Sequence, residues 1–237
     1  MSLLDLTGRL LVASPHLTDG HFLRSVVLIV RHDAEGALGL TINRRTQRRL
    51  RNVPPFGEAA DDDFPSKDAS SPEDVSSPKD AAAGSPGAVR TDDYLHVGGP
   101  VQGPLVALHE VPGIGQPCGS GTDQSTVKLE DHPAEAFGEM SLMFDPSPVW
   151  LTADEDHIAI LARRTDGRIK FVSGYAGWGP RQLDHEYDGG GWLHTAMDVD
   201  LVLGDVEETW ETCVRRCGRE VLEVIDDDLR FDDPSRN

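Results

Sequence analysis

Val172-Ser173-Gly174-Tyr175-Ala176-Gly177-Trp178-Gly179-Pro180-Arg181-Gln182-Leu183 packs three glycines, two large aromatics and a helix-start signal into twelve residues. Small residues let a backbone turn tightly and approach a neighbour closely, while Tyr175 and Trp178 each bring a large apolar area with one polar tip. Ile169 to Ser173 ahead of it reads as a strand. Pro180 suits the first turn of a helix that Gly189-Gly190-Gly191 would stop, and Trp192 to Met197 then returns to strand. The stretch is read as a strand ending, a glycine corner and a helix in succession.

Short aliphatic runs surround this corner on the N-terminal side. Arg9 to Ala13, Ser25 to Arg31 and Leu38 to Asn43 are separated by turn residues such as Pro15, Asp19-Gly20 and Asp33-Ala34-Glu35-Gly36, and predict three strands, the last two a hairpin. Tyr94 to Val97 and Leu105 to His109 flank Gly98-Gly99-Pro100, and the pattern at Val127 to Leu129 predicts a further short strand. Thr152 with Glu155 three residues on forms a capping box for a helix containing Ile158 and Leu161. Val206 to Arg216 predicts a second strong helix. Val206, Trp210, Cys213, Val214 and Cys217 share its core face, Gly218 sits at its end, and the acidic residues from Asp226 onward fray. Strands and helices are interspersed without a βαβ rhythm, and short loops favour antiparallel pairing, so the class is α+β.

Between about Pro54 and Asp93 the composition changes, through Asp61-Asp62-Asp63, two Ser-Ser-Pro steps and Ala81-Ala82-Ala83-Gly84. Large apolar residues nearly vanish, so this segment cannot bury enough surface to offset the entropy of ordering it. We read it as a disordered insertion in a single domain spanning 1–237, because loop closure over such a length costs a core little.

Whole-chain properties exclude several classes. The 237 residues contain no run of apolar residues long enough to span a membrane, and Asp5, Gly8 and Arg9 interrupt any leader-like N-terminal stretch, which predicts a cytoplasmic protein. Cys118, Cys213 and Cys217 are too sparse for a disulfide framework. The net charge of −19, from 41 acidic and 22 basic residues, repels a polyanion at long range. The one dense basic cluster, Arg44-Arg45-Thr46-Gln47-Arg48-Arg49-Leu50-Arg51, has no interleaved aromatic for base stacking and is read as solvated surface, so direct nucleic-acid binding is not expected.

Four blocks resemble the YqgE/AlgH family in order and spacing. They are Gly8-Arg9-Leu10-Leu11-Val12-Ala13-Ser14-Pro15 through Asp19, Phe22 and Arg24 to Leu28; Gly36 to Arg44; Val97-Gly98-Gly99-Pro100-Val101 with Leu108-His109; and the glycine and tryptophan stretch continuing to Trp192. The resemblance implies one α+β domain whose bifurcated, mixed, largely antiparallel sheet curls into a partial barrel with flanking helices. Members of the family are described as transcriptional regulators, so the resemblance implies a fold and no reaction. Two departures stand out: the insertion lengthens the link before Gly98, and Arg181 replaces the glycine usual before Gln182-Leu183.

The polar residues of these blocks are the candidates for chemistry. Asp19, Arg24, Asn43 and His109, with Gly98, Gly99, Tyr175, Trp178 and Gln182, form a candidate ligand or partner site. Asp19 and Arg24 pair to fix a turn, or bind an anionic ligand through the guanidinium fork. Ser25 with His32 or His109 lacks a strained nucleophile turn and an orienting partner. No spacing indicates a metal or cofactor, and Cys213 and Cys217 read as core residues one helical turn apart. The glycine-rich Gly113 to Gly121 lacks a phosphate-loop ending and reads as a turn. Two functions remain. One is a non-catalytic binding or regulatory module presenting the Gly174 to Gln182 corner and the Gly98-Gly99-Pro100 turn to a protein or small molecule. The other is a small-molecule site or enzyme around Asp19, Arg24 and His109.

Overall fold

The computed structural model describes residues 5–53, 56, 90–112, 114, 142–144 and 149–231. The expected strand at 127–129, nearly all of the glycine-rich turn at 113–121 and residues 57–89 of the predicted insertion lie outside them. At the edges of that insertion Phe56 packs against a core cluster, and Arg90–Asp92 form a 3-10 turn whose Arg90 donates to the carbonyl oxygens of Arg164 and Gly167.

Among the described residues ten strands and four helices follow in the order β1 (Arg9–Ala13), β2 (Val26–Asp33), β3 (Gly36–Thr41), β4 (Arg45–Arg49), β5 (Tyr94–Val97), β6 (Val101–His109), β7 (Leu142–Phe144), β8 (Val149–Thr152), α1 (Glu155–Ala162), β9 (Ile169–Trp178), α2 (Gln182–Asp188), β10 (Trp192–Ala196), α3 (Val199–Leu203) and α4 (Thr209–Phe231). The sheet runs β10-β1-β2-β3-β9-β6-β8-β7 and stays open, with β4 and β5 on a side branch. The branch point is β9. Its end pairs antiparallel with β3 through Ala176 to Trp178, while Val172 and Ser173 pair parallel with His96 and Val97 of β5. Its other edge runs along β6. This is the bifurcated, mixed, largely antiparallel sheet of the α+β expectation.

The fork exists because three strands meet where side chains are absent. Gly174 bends β9 at φ 76°, and a Cβ on Gly98 would run into the Gly174 carbonyl oxygen. Gly98 donates to the Ser173 oxygen at 2.8 Å and accepts from the Thr41 amide at 2.7 Å, so it ties β9 to β3 at the split.

Both faces of the central strands are buried, which explains why they are continuously aliphatic. Leu10, Val12, Leu28 and Leu40 face a cluster closed by Cys213 and Cys217 of α4. Their neighbours Leu11, Ala13, Val27 and Ile29 face a second cluster with Trp178, Leu183 and Trp192. A third gathers α1 against Phe171 and Ala107.

Local readings shift where tertiary pairing or capping overrides pattern. Thr152 ends β8, and Asp154 caps α1, its Oδ1 accepting from the His157 amide at 2.8 Å. The last helix starts at Thr209 and runs through Gly218 to Phe231, because one helical glycine costs only ~1 kcal/mol and need not end a helix. The arginine cluster contains a strand, with Arg45 opposite His96 and Arg49 opposite Tyr94. The short helix α3 follows an Asp198 cap, with Asp198 Oδ1 accepting from the Asp200 amide at 2.8 Å.

Candidate functional site

The nine residues singled out in the sequence separate into two groups and a remote histidine. Asp19 is exposed in the β1–β2 connection, where its Oδ1 accepts from the amides of His21 at 2.7 Å and Phe22 at 3.3 Å. The Asp19–Arg24 pair expected from spacing is not formed. Arg24, at φ 54°, instead lies over the Trp210 ring at 5.2 Å and reaches Glu211 at 4.0 Å, tying the connection to α4. Asn43 accepts from the Val26 amide and donates to the Arg24 carbonyl, extending the β2–β3 pairing. Gly98 and Gly99 are pressed against Gly174 and Tyr175, so their turn is spent on the fork.

The corner is a fold determinant. Tyr175 is 5% exposed and Trp178 1%. Phe22, Trp178 and Trp192 form a ring cluster with centroids 5.2–6.0 Å apart. One carboxylate organises it: Glu186 Oε2 accepts from the indole N–H of Trp178 at 3.0 Å and of Trp192 at 2.9 Å, and Oε1 from Gln182 Nε2 at 2.9 Å. Gln182 Oε1 accepts from the Gly179 amide. Arg181 takes φ 60°, the left-handed conformation that glycine adopts freely. Its departure from the family glycine is therefore a backbone matter as well as a charge.

His109 lies away from this end. It pairs opposite Ile169 and Trp150, and Ile169 is separated from Trp178 by about 30 Å of strand. The structure therefore does not bring Asp19, Arg24 and His109 together. His109 is fully buried, its Nδ1 accepts from the Val111 amide, and burial pushes its pKa down to about 4. Ser25 and His32 sit at opposite ends of β2, and His32 faces Asp184 at 3.6 Å. Burial pushes the Cys213 thiol up to about 12 and Cys217 to about 11, as expected for core thiols and not for reactive thiolates.

The concave surfaces among the described residues include a groove and a cleft. A groove of about 510 Å³ is lined by His16 to Asp19 and the Gly189–Gly191 backbone. A cleft of about 420 Å³ lies between the β4–β5–β9 ladder and the α3–α4 connection, and holds the unusual chemistry. Arg45 stands opposite His96, and His96 opposite Val172, so Arg45, His96 and Lys170 share one face of three adjacent strands. Arg49 and Tyr94, opposite one another, continue the row.

Lys170 is 5% exposed, and among the described residues its ammonium has one acceptor, the Ile42 carbonyl at 2.9 Å. Burial lowers its pKa to about 8, while Asp205 across the cleft works the other way. The Arg45 guanidinium lies 4.9 Å from the Tyr94 ring centroid and has no ion pair or hydrogen bond among the described residues. Arg49 is engaged, stacking on Tyr94 at 3.6 Å and donating to its hydroxyl at 2.7 Å. Asp92 and Asp93 are engaged too, by Arg51 and Arg90. His96 Nδ1 lies 3.3 Å from the Phe171 carbonyl, which only accepts, so Nδ1 carries the proton and Nε2 is an acceptor. Burial, with Lys170 nearby, holds the His96 pKa down at about 4 and the ring neutral.

The sequence reading missed this cleft, although a signal was present. Arg45-x-Gln47-x-Arg49 and Tyr94-x-His96 have strand period, and Lys170 is a lone cation in the apolar run Ile169-Lys170-Phe171-Val172. Their convergence depends on the parallel β5–β9 pairing, a long-range contact that no local pattern announces.

Comparison with known proteins accounts for the architecture. The chain is 30% identical over 216 residues to a UPF0301 protein of Myxococcus xanthus, covering 90% of this chain and 92% of the relative. It is 31% identical over 235 residues to a UPF0301 protein of Streptomyces avermitilis, covering 98% and 96%. The solution structure of the AlgH protein from Pseudomonas aeruginosa superposes with a TM-score of 0.51 at 23% identity, over 90% of this chain and 88% of that one, so the likeness is one of fold. A crystal structure of a Corynebacterium diphtheriae protein gives 0.50 at 19% identity, over 86% and 83%. A family model described as AlgH-like matches residues 10–222, which run from β1 into α4 and include both the fork and the cleft: the chain belongs to the AlgH-like family.

Proposed function

We propose that this protein is a non-catalytic, cytoplasmic binding module whose small-molecule seat is the cleft over the β4–β5–β9 ladder. The observation that carries this reading is the nearly buried Lys170 ammonium with a single protein acceptor, facing a concave surface beside an unpaired guanidinium. Holding such a charge out of water without a counter-ion is unfavourable, and folds retain such arrangements where a ligand completes them. No nucleophile and base are within reach of one another among the residues weighed for catalysis, which favours binding over turnover. A regulatory role would pass through a protein partner that reads the loaded cleft, since the net charge of −19 opposes direct contact with nucleic acid.

The test is native mass spectrometry of the full chain after incubation with a deproteinised cell extract. A small molecule retained by the wild type and lost from Lys170→Met supports the reading. Retention unchanged in Lys170→Met, or no retained mass, overturns it.

A further inference from the structure

The geometry points to a small phosphomonoester as the occupant of this cleft, its phosphoryl group seated between Lys170 of β9 and Arg45 of β4, above His96 of β5. The inference rests on the binding-module reading above and adds the chemistry of the ligand.

Charge matching is the first argument. Among the cations lining the cleft, Arg49 is bonded to Tyr94 and to the Asp92 carbonyl. Lys170 retains two ammonium hydrogens beyond its bond to Ile42, and Arg45 retains its whole fork. Of the carboxylates, Asp92 and Asp93 are taken by Arg51 and Arg90, which leaves Asp205 facing Lys170. Two cations with free donors, offset in part by Asp205, suit a group that brings three acceptor oxygens and sheds part of its charge by keeping a proton better than a carboxylate with two.

Placement is the second. Arg45 stands directly opposite His96, about 4.8 Å across, while on the other side Lys170 lies diagonally, two residues before Val172 along β9, so an oxyanion over the middle strand is bracketed by two long cationic side chains. His96 presents Nε2 as an acceptor, which suits a hydroxyl on the ligand or the proton of a monoanionic phosphate.

Size and field are the third. A cleft of about 420 Å³ falls within the range of roughly 300–1,000 Å³ for small-molecule sites and exceeds what a bare phosphate ion fills, so an esterified carrier occupies the rest. The overall charge of −19 turns away long polyanions, whereas a small anion meets only the groups within a Debye length of ~8 Å.

The experiment is an amide-shift titration of the full-length protein by NMR with methyl phosphate, inorganic phosphate and acetate. Methyl phosphate is expected to shift the His96, Lys170 and Asp205 amides saturably and more tightly than inorganic phosphate, with acetate inert. Arg45→Gln, at an exposed site, is expected to weaken methyl phosphate about tenfold, the worth of one charge-assisted contact. Tighter binding of inorganic phosphate overturns the ester, and equal binding of acetate overturns the phosphoryl assignment. Binding unchanged in Arg45→Gln marks an adventitious ion only and overturns the site. If both phosphate probes leave the cleft unmoved while an extract molecule is still retained through Lys170, this inference fails and the binding-module reading stands. If neither binds, both fail.

Discussion

Lys170 is where a single residue sets stability against binding. A lysine whose pKa falls from 10.5 to about 8 carries a penalty on its charged form of about 3 kcal/mol at neutral pH, since one pKa unit is 1.36 kcal/mol. The bond to Ile42 returns about 1 kcal/mol. Methionine fills similar space without charge, so Lys170→Met should stabilise the unliganded protein by roughly 1–2 kcal/mol while abolishing ligand retention. Urea unfolding of the two proteins measures this. A loss of stability would mean that the ammonium serves as a strut for Ile42, and the functional reading of its burial would fall. Glu186 is the contrasting case: a carboxylate whose three side-chain donors are all supplied by the corner it holds together, and which therefore needs no ligand.

At the scale of elements, β9 decides the topology, and its two partners on one edge make the fork. A methyl on Gly98 cannot fit against the Gly174 carbonyl, so Gly98→Ala must push β5 from β9 or break the bonds to Ser173 and Thr41. The expected cost is roughly 2–4 kcal/mol, with amide exchange accelerated first in β4 and β5, measured by hydrogen exchange. Uniform acceleration through β1 and β2 would show that the branch is not a separate unit. The strand from Ile169 and the helix ending at Gly189 were legible from aliphatic and glycine signals, but the strand expected to end at Ser173 runs on to Trp178, because Gly174 bends it without ending its pairing, and the helix starts at Gln182, beyond Pro180. The β2–β3 hairpin was legible from its turn residues. The strand within the arginine cluster was not, because charged residues carry no apolar alternation and become strand only by pairing with Tyr94 and His96. For the same reason the cleft was not legible, since it is assembled from four separate segments with no shared motif.

The whole molecule couples a strongly acidic surface to histidines held neutral inside, and these respond oppositely to acid. Protonating carboxylates relieves self-repulsion, but with ordinary values near 4 they hardly titrate above pH 5. His109 is fully buried and its folded pKa is about 4, against 6.5 for the free side chain. On acidification the unfolded chain therefore binds its proton first, so stability present above pH 6.5 is lost as the pH falls toward 4. By pH 5 the loss from His109 is about 2 kcal/mol. His96, also near 4, adds loss of the same sign. Asn at position 109 keeps an acceptor for the Val111 amide and has nothing to titrate, so His109→Asn should flatten the decline in unfolding free energy between pH 7 and 5 by about that amount. Urea titrations of both proteins across this window make the comparison. Parallel declines would show that His109 takes up its proton in the folded state without penalty, and that the acid response belongs to the surface rather than to the interior.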